Sequence, residues 1–170
     1  MTSPLDTGNR WVALGVTTFA LSCLGLAAEN TPALALVNES PSVPRGVYVR
    51  QIGAAVRRGD TAAFRQPRAV RPYLAGLGMP DDVRLLKRVA AVEGDRVCRV
   101  ADTITAGSRS AAAATRDRRG VRLPRWSDCR RLAAGEVFLL GDTPGSFDSR
   151  YFGPVRVADL DGVFREVLTW

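Results

Sequence analysis

Leu85-Leu86-Lys87-Arg88-Val89-Ala90-Ala91-Val92-Glu93-Gly94-Asp95 decides how this chain is read. Its apolar positions, joined upstream by Val83, close on the turn signal Glu93-Gly94-Asp95, the pattern of a half-buried strand. Lys87 stands within that strand. The chain carries 24 Lys plus Arg residues and no His, and Lys87 is its only lysine. A guanidinium keeps its proton near neutral pH, whereas a lysine among apolar neighbours can lose its own and act as a base. Lys87 is therefore the one nitrogen side chain suited to proton transfer at a nucleophile. The other reading is a lone lysine left on a strand surface by an arginine-rich composition.

Without His, a Ser-His-Asp triad and a His-bearing metal site are excluded. A Ser-Lys dyad, in which a neutral amine takes the proton of a Ser hydroxyl, stays open. The serine to consider lies in Ser40-Pro41-Ser42-Val43-Pro44. Two prolines bracket Ser42 and fix the backbone on both sides. That rigidity suits a nucleophile whose own amide faces the reacting carbonyl; a purely structural Ser-Pro turn is the alternative. No cofactor or metal is implied.

Around these two points the chain from 29 to 170 reads as one mainly β domain of antiparallel strands. Strands are expected near 46–49, 61–64, 85–92, 96–100 and 135–142, with a last β-rich stretch over 154–170. Residues 67–80 read as an irregular surface excursion, and 143–153 as a loop. Residues 103–126 are polar, Ala-rich and Arg-rich without a clear period, and read as a mobile insertion. Cys98 and Cys129 flank it; a bridge between them closes a loop of about thirty residues, worth about 3 to 4 kcal/mol in the chain-entropy model, and two free thiols are the alternative. Such a bond belongs to an oxidising compartment.

Ahead of this domain, Trp11 to Ala28 is a run without charge, long enough to cross a bilayer core as a helix. Arg10 precedes it, so residues 1–10 read as a cytoplasmic N-terminus and 11–28 as an anchor, with a cleavable signal peptide as the second reading. On either reading residues 29–170 are exported, and the expected location is the periplasmic side of the inner membrane. The net charge of +7 is spread over arginines at 57–71 and 116–131. Only Trp126 accompanies the second cluster, so a nucleic-acid partner is not expected. These faces read as solvated, or as lying against anionic lipid.

Ser40-Pro41-Ser42-Val43-Pro44, then Lys87-Arg88-Val89 through Glu93-Gly94-Asp95, then Gly141-Asp142 through Ser146-Phe147-Asp148-Ser149-Arg150-Tyr151-Phe152-Gly153 resemble, in order and spacing, the sequence boxes of bacterial type I signal peptidases. Pro44-Arg45-Gly46-Val47-Tyr48, Leu123-Pro124-Arg125-Trp126 and the paired cysteines resemble the conjugative-transfer, TraF-type branch, whose members process pilin precursors. The resemblance implies a signal-peptidase-like antiparallel β fold behind an N-terminal helix. It implies Ser42 as nucleophile, Lys87 as base, Ser40 as a hydroxyl of the oxyanion hole, Ser146 as a hydroxyl that orients the lysine, and Asp148 as a catalytic or supporting carboxylate. An ion pair with Arg150 or a loop cap is the structural alternative for Asp148. The implied substrate is an extended protein precursor; a general signal peptidase and a non-catalytic assembly protein are the alternatives.

Overall fold

In the computed structural model the described residues are 12, 14–17 and 33–170. The chain divides into two compact units, 1–32 and 33–170. Within the first, residues 12 and 14–17 are helical; the rest of the expected cytoplasmic terminus and of the 11–28 anchor lies outside the described residues. Among the described residues no helix is long and apolar enough to cross a membrane.

The second unit is built from antiparallel strands. In chain order they are β1 (Ala35–Asn38), β2 (Gly46–Arg50), β3 (Thr61–Arg65), β4 (Arg84–Ala91), β5 (Arg96–Val100), β6 (Thr103–Ala106), β7 (Arg109–Ala112), β8 (Cys129–Arg131), β9 (Glu136–Leu140), β10 (Val155–Arg156) and β11 (Leu160–Thr169). Seven form one sheet in the order β1-β2-β11-β3-β4-β9-β10, and four a smaller one in the order β7-β6-β5-β8. The last strand of the chain thus lies inside the large sheet, between β2 and β3.

Strand β4, the opening stretch, is central rather than half-buried. Leu85, Leu86, Lys87, Val89, Ala90 and Ala91 are all buried. Strand alternation puts Leu85, Lys87 and Val89 on one face, and Lys87 is in register with Ala62 of β3. A register shift against β9 between Val89 and Ala91 breaks the alternation, so that Ala90 and Ala91 both enter the core that Val97 and Ile104 of the small sheet share with Phe138 and Leu140 of β9. A second core, with Phe64, Leu85, Val89 and Leu139, lies within the large sheet.

Residues 103–126 differ from the expected mobile insertion. They supply β6 and β7, and Trp126 packs on Phe138 with ring centroids 5.2 Å apart. β6, Thr-Ile-Thr-Ala, alternates over only four residues and β7, Arg-Ser-Ala-Ala, has no apolar alternation in sequence; burial of Ile104 and Ala106 fixes the pair. The excursion at 67–80 likewise holds a 3-10 turn, Arg68–Val70, running into a short α-helix, Arg71–Ala75, whose Leu74 is buried.

Cys98 on β5 stands opposite Cys129 on β8, and the two are disulfide-bonded across 31 residues of sequence. Reduction, or Cys98→Ser with Cys129→Ser, is expected to remove about 3–4 kcal/mol, a fall on the order of 10 °C in Tm. Calorimetry of the oxidised and reduced protein measures it; unchanged melting would show that the bridge contributes nothing to stability.

Candidate active site

The turn from β1 into β2 holds Ser42, and Asn38 holds the turn. The buried Asn38 amide nitrogen reaches the carbonyls of Ser40 (2.8 Å), Val43 (3.0 Å) and Pro44 (3.0 Å). Its Oδ1 accepts from the Ser40 amide at 3.2 Å and the Ser40 hydroxyl at 2.9 Å. Val43 is buried in the core, and Tyr48 Oη donates to the Pro44 carbonyl at 2.7 Å. From the other side, the Asp142 amide donates to the Ser42 carbonyl at 2.6 Å. With its backbone clamped on both flanks, Ser42 keeps its side chain where β4 delivers Lys87.

Lys87 Nζ lies 2.8 Å from Ser42 Oγ and donates to the Leu86 carbonyl at 3.0 Å. Both side chains are buried, each residue being 5% exposed. Burial pulls the Lys87 pKa from 10.5 down to about 8; Asp148 and Asp142 pull it up, and Arg150 pushes it further down. The neutral amine, with a free lone pair, is then well populated in mildly alkaline solution, and a hydroxyl at 2.8 Å is within reach of it. On the far side of Ser42 Oγ, Ser40 Oγ lies at 2.7 Å. Three of the sequence candidates, Ser40, Ser42 and Lys87, therefore meet.

Ser146 and Asp148 are placed differently. Ser146 is buried beside the same cleft, but its hydroxyl finds no hydrogen-bond partner, so it does not orient Lys87 by such a bond. It packs on Gly141, where any Cβ would overlap the Ser146 side chain. The Leu86 carbonyl is the acceptor that orients the lysine instead.

Asp148, with no exposure, makes two 2.8 Å bonds with Arg150 Nε and Nη2 and accepts the Gly141 amide at 2.8 Å. Its other oxygen caps the short helix Ser149–Phe152 through the Arg150 amide at 3.1 Å. The structural alternatives for Asp148, ion pair and cap, are thus both present, and no hydrogen bond joins it to Ser42 or Lys87. Arg150 and Asn38 were missed as site residues in the sequence. An Asn four residues ahead of a proline-bracketed Ser is a turn signal, whereas nothing local marks Arg150 as buried.

A cleft of about 360 Å³ opens on Ser42 and Lys87, walled by Val37 and Glu39, by Leu77 and Met79, and by Leu85 and Phe147. Two strand edges border it. β1 is the outermost strand, and β4 pairs with β9 only from Arg88 onward, leaving Arg84 to Lys87 unpaired on that side. Among the described residues no group of three or more metal-ligating side chains gathers.

The signal peptidase family, peptidase S26, matches residues 9–170. A plasmid transfer protein TraF of Escherichia coli is 35% identical over 176 residues, covering 95% of this chain and 96% of its own. A probable conjugal transfer protein TraF of Sinorhizobium fredii is 33% identical over 170 residues, covering 92% and 89%. The crystal structure of a signal peptidase I from Enterococcus faecalis superposes on 65% of this chain and 97% of its own, with 24% identity and a TM-score of 0.38. By the extent of the family match and of the two TraF alignments the chain belongs to the signal peptidase family, peptidase S26, and within it resembles the plasmid-transfer TraF proteins.

Proposed function

We propose that the chain is a membrane-anchored serine endopeptidase that cuts an exported precursor, of pilin type, for a conjugative transfer apparatus. The observation that carries the reading is the 2.8 Å contact between Ser42 Oγ and a buried Lys87 Nζ whose pKa is brought to about 8. Membership in a peptidase family and likeness to plasmid and conjugal transfer proteins support the reaction class and the setting. The uncharged run 11–28 supports an anchor, and the disulfide supports an oxidising compartment.

The precursor lies extended in the cleft and adds main-chain hydrogen bonds to the free edges of β1 or β4. Neutral Lys87 takes the Ser42 proton as Oγ attacks the scissile carbonyl carbon. The oxyanion takes hydrogen bonds from the Ser42 amide and the Ser40 hydroxyl. Collapse of the tetrahedral adduct breaks the C–N bond, and Lys87 returns its proton to the leaving amine. The acyl-enzyme is then released to water or to a second amine, with Lys87 again as base.

Precursor cleavage in membranes or detergent tests this. Ser42→Ala and Lys87→Ala abolish cleavage, and Lys87→Arg lowers it roughly 10²–10⁴-fold while the fold is kept; a normally active Lys87→Arg would remove Lys87 as base. Ser40→Ala slows the reaction roughly 10²–10³-fold without change in Tm. Cleavage of secretory and pilin precursors at equal rates would assign a general signal peptidase.

The rate carries a pH signature. kcat/KM rises as pH passes through about 8, where Lys87 loses its proton, and a profile flat from pH 6 to 10 would count against the dyad. Stability moves in the same direction. Because the folded pKa lies below the unfolded 10.5, the folded state binds fewer protons between about 8 and 10.5. Lys87 therefore costs stability below pH 8, and the cost fades as pH rises. Lys87→Met is expected to melt above wild type at pH 7, with the gap narrowing between pH 8 and 10.

A further inference from the structure

We infer that the small sheet carries a binding site for a phosphate group, separate from the cleft at Ser42. Its cavity, about 300 Å³, is ringed by Arg99, Arg116, Arg122 and Arg125, with Leu123 and Pro124 as apolar wall. The Arg99 side chain is 2% exposed and is held by the carbonyls of Ala101 (3.0 Å), Trp126 (3.2 Å) and Arg150 (3.2 Å). A guanidinium fixed this way is already oriented before any ligand arrives.

The charges around the cavity do not balance. Among the described residues, the one carboxylate that pairs with any of the four is Asp102, shared between Arg99 at 3.5 Å and Arg125 at 3.3 Å. Arg116 and Arg122 face each other across an antiparallel bridge. Like charges directly opposite one another destabilise a strand pair. Arg116 donates to the Gly120 carbonyl at 2.7 Å, and the Arg122 side chain makes no hydrogen bond or ion pair among the described residues. Asp117, on the same hairpin, is turned into its own loop, where it accepts the amides of Arg119 and Val121 and pairs with Arg119. The acid nearest in sequence is thus committed elsewhere, and the bridge sets both arginines at opposed positions on the wall of one cavity.

An anion in the cavity relieves this repulsion. One carboxylate is matched by one guanidinium fork, whereas four arginines lining one cavity suit a tetrahedral group with three charged oxygens. The volume exceeds a bare ion and fits a phosphorylated small group. Free phosphate and the headgroup of an anionic phospholipid share this chemistry.

Thermal unfolding of the full chain in non-ionic detergent tests the site. Inorganic pyrophosphate is titrated against sodium chloride at matched ionic strength, and soluble short-chain phosphatidylglycerol against phosphatidylcholine. The expected result is a saturable rise in Tm. The apparent affinity falls about tenfold for each guanidinium removed in Arg116→Gln and Arg122→Gln. A rise with pyrophosphate alone assigns free phosphate; a rise with phosphatidylglycerol but not phosphatidylcholine assigns a headgroup. No saturable rise with either, or an equal rise in the double variant, overturns the proposal. Without ligand at low salt, the double variant is expected to melt no lower than wild type, since it loses a repulsion. A lower Tm there would overturn the electrostatic premise.

Discussion

The buried ion pair of Asp148 and Arg150 is the joint on which the second unit's two sheets and its candidate site depend. Arg150 is 1% exposed and spreads its donors over the carbonyls of Ala112 on β7 and of Thr143, Pro144 and Ser146 in the loop after β9. Asp148 takes the Gly141 amide where β9 ends. Removing one partner of such a pair strands a charge in a dry interior at about 3–5 kcal/mol, although an apolar substitute for the whole pair need not be less stable. Its effect is therefore on arrangement more than on net stability. One planar cation fixes the strand of the small sheet, the loop beside the cleft and the start of the short helix in a single geometry.

The same pair acts on Lys87 through its charge. Asp148 raises the lysine's proton affinity, Arg150 lowers it, and the two carry opposite unit charges side by side. Their fields oppose at Nζ, which leaves desolvation as the leading cause of a pKa near 8. A carboxylate near a buried amine ordinarily keeps that amine charged. Here the carboxylate is used for positioning and its charge is offset by its own partner, so the lysine remains free to be neutral. Asp148 makes its contacts with the Gly141 amide and Arg150, and none with Lys87 by hydrogen bond.

Much of this was legible in the sequence. A single lysine among arginines on an apolar strand marks a candidate base, because burial costs an ammonium its proton and a guanidinium keeps its own. Prolines on both sides of Ser42 mark a fixed turn, because they restrict φ and ψ locally. The parts that were not legible rest on long-range contact. Arg109–Ala112 has no alternation to announce a strand, and it becomes one by pairing with β6. Arg150 reads as an ion-pair partner for Asp148, and its burial comes from β7 and the loop after β9. Ser146 sits at the spacing of an orienting hydroxyl, yet it packs against Gly141, while the backbone carbonyl of Leu86, which sequence does not distinguish from any other, takes the lysine's hydrogen bond.

In the proposed mechanism that carbonyl bears on the direction of proton flow. A neutral amine has two hydrogens and one lone pair. With one N–H on the Leu86 carbonyl at 3.0 Å, the lone pair can turn toward Ser42 Oγ at 2.8 Å. The Ser42 proton has a weaker alternative acceptor in the same carbonyl, at 3.4 Å. Ser40 Oγ, 2.7 Å beyond, can donate to Ser42 Oγ or to Asn38 Oδ1. Both hydroxyls and one N–H thus have resting partners, and the orientation productive for proton transfer needs only rotation of hydrogens on the hydroxyls and on Nζ, with no movement of heavy atoms. Preorganisation of this kind lowers the reorganisation that a reaction step requires. It also accounts for the placement of Asn38, which fixes the backbone of the turn and the Ser40 hydroxyl with one side chain.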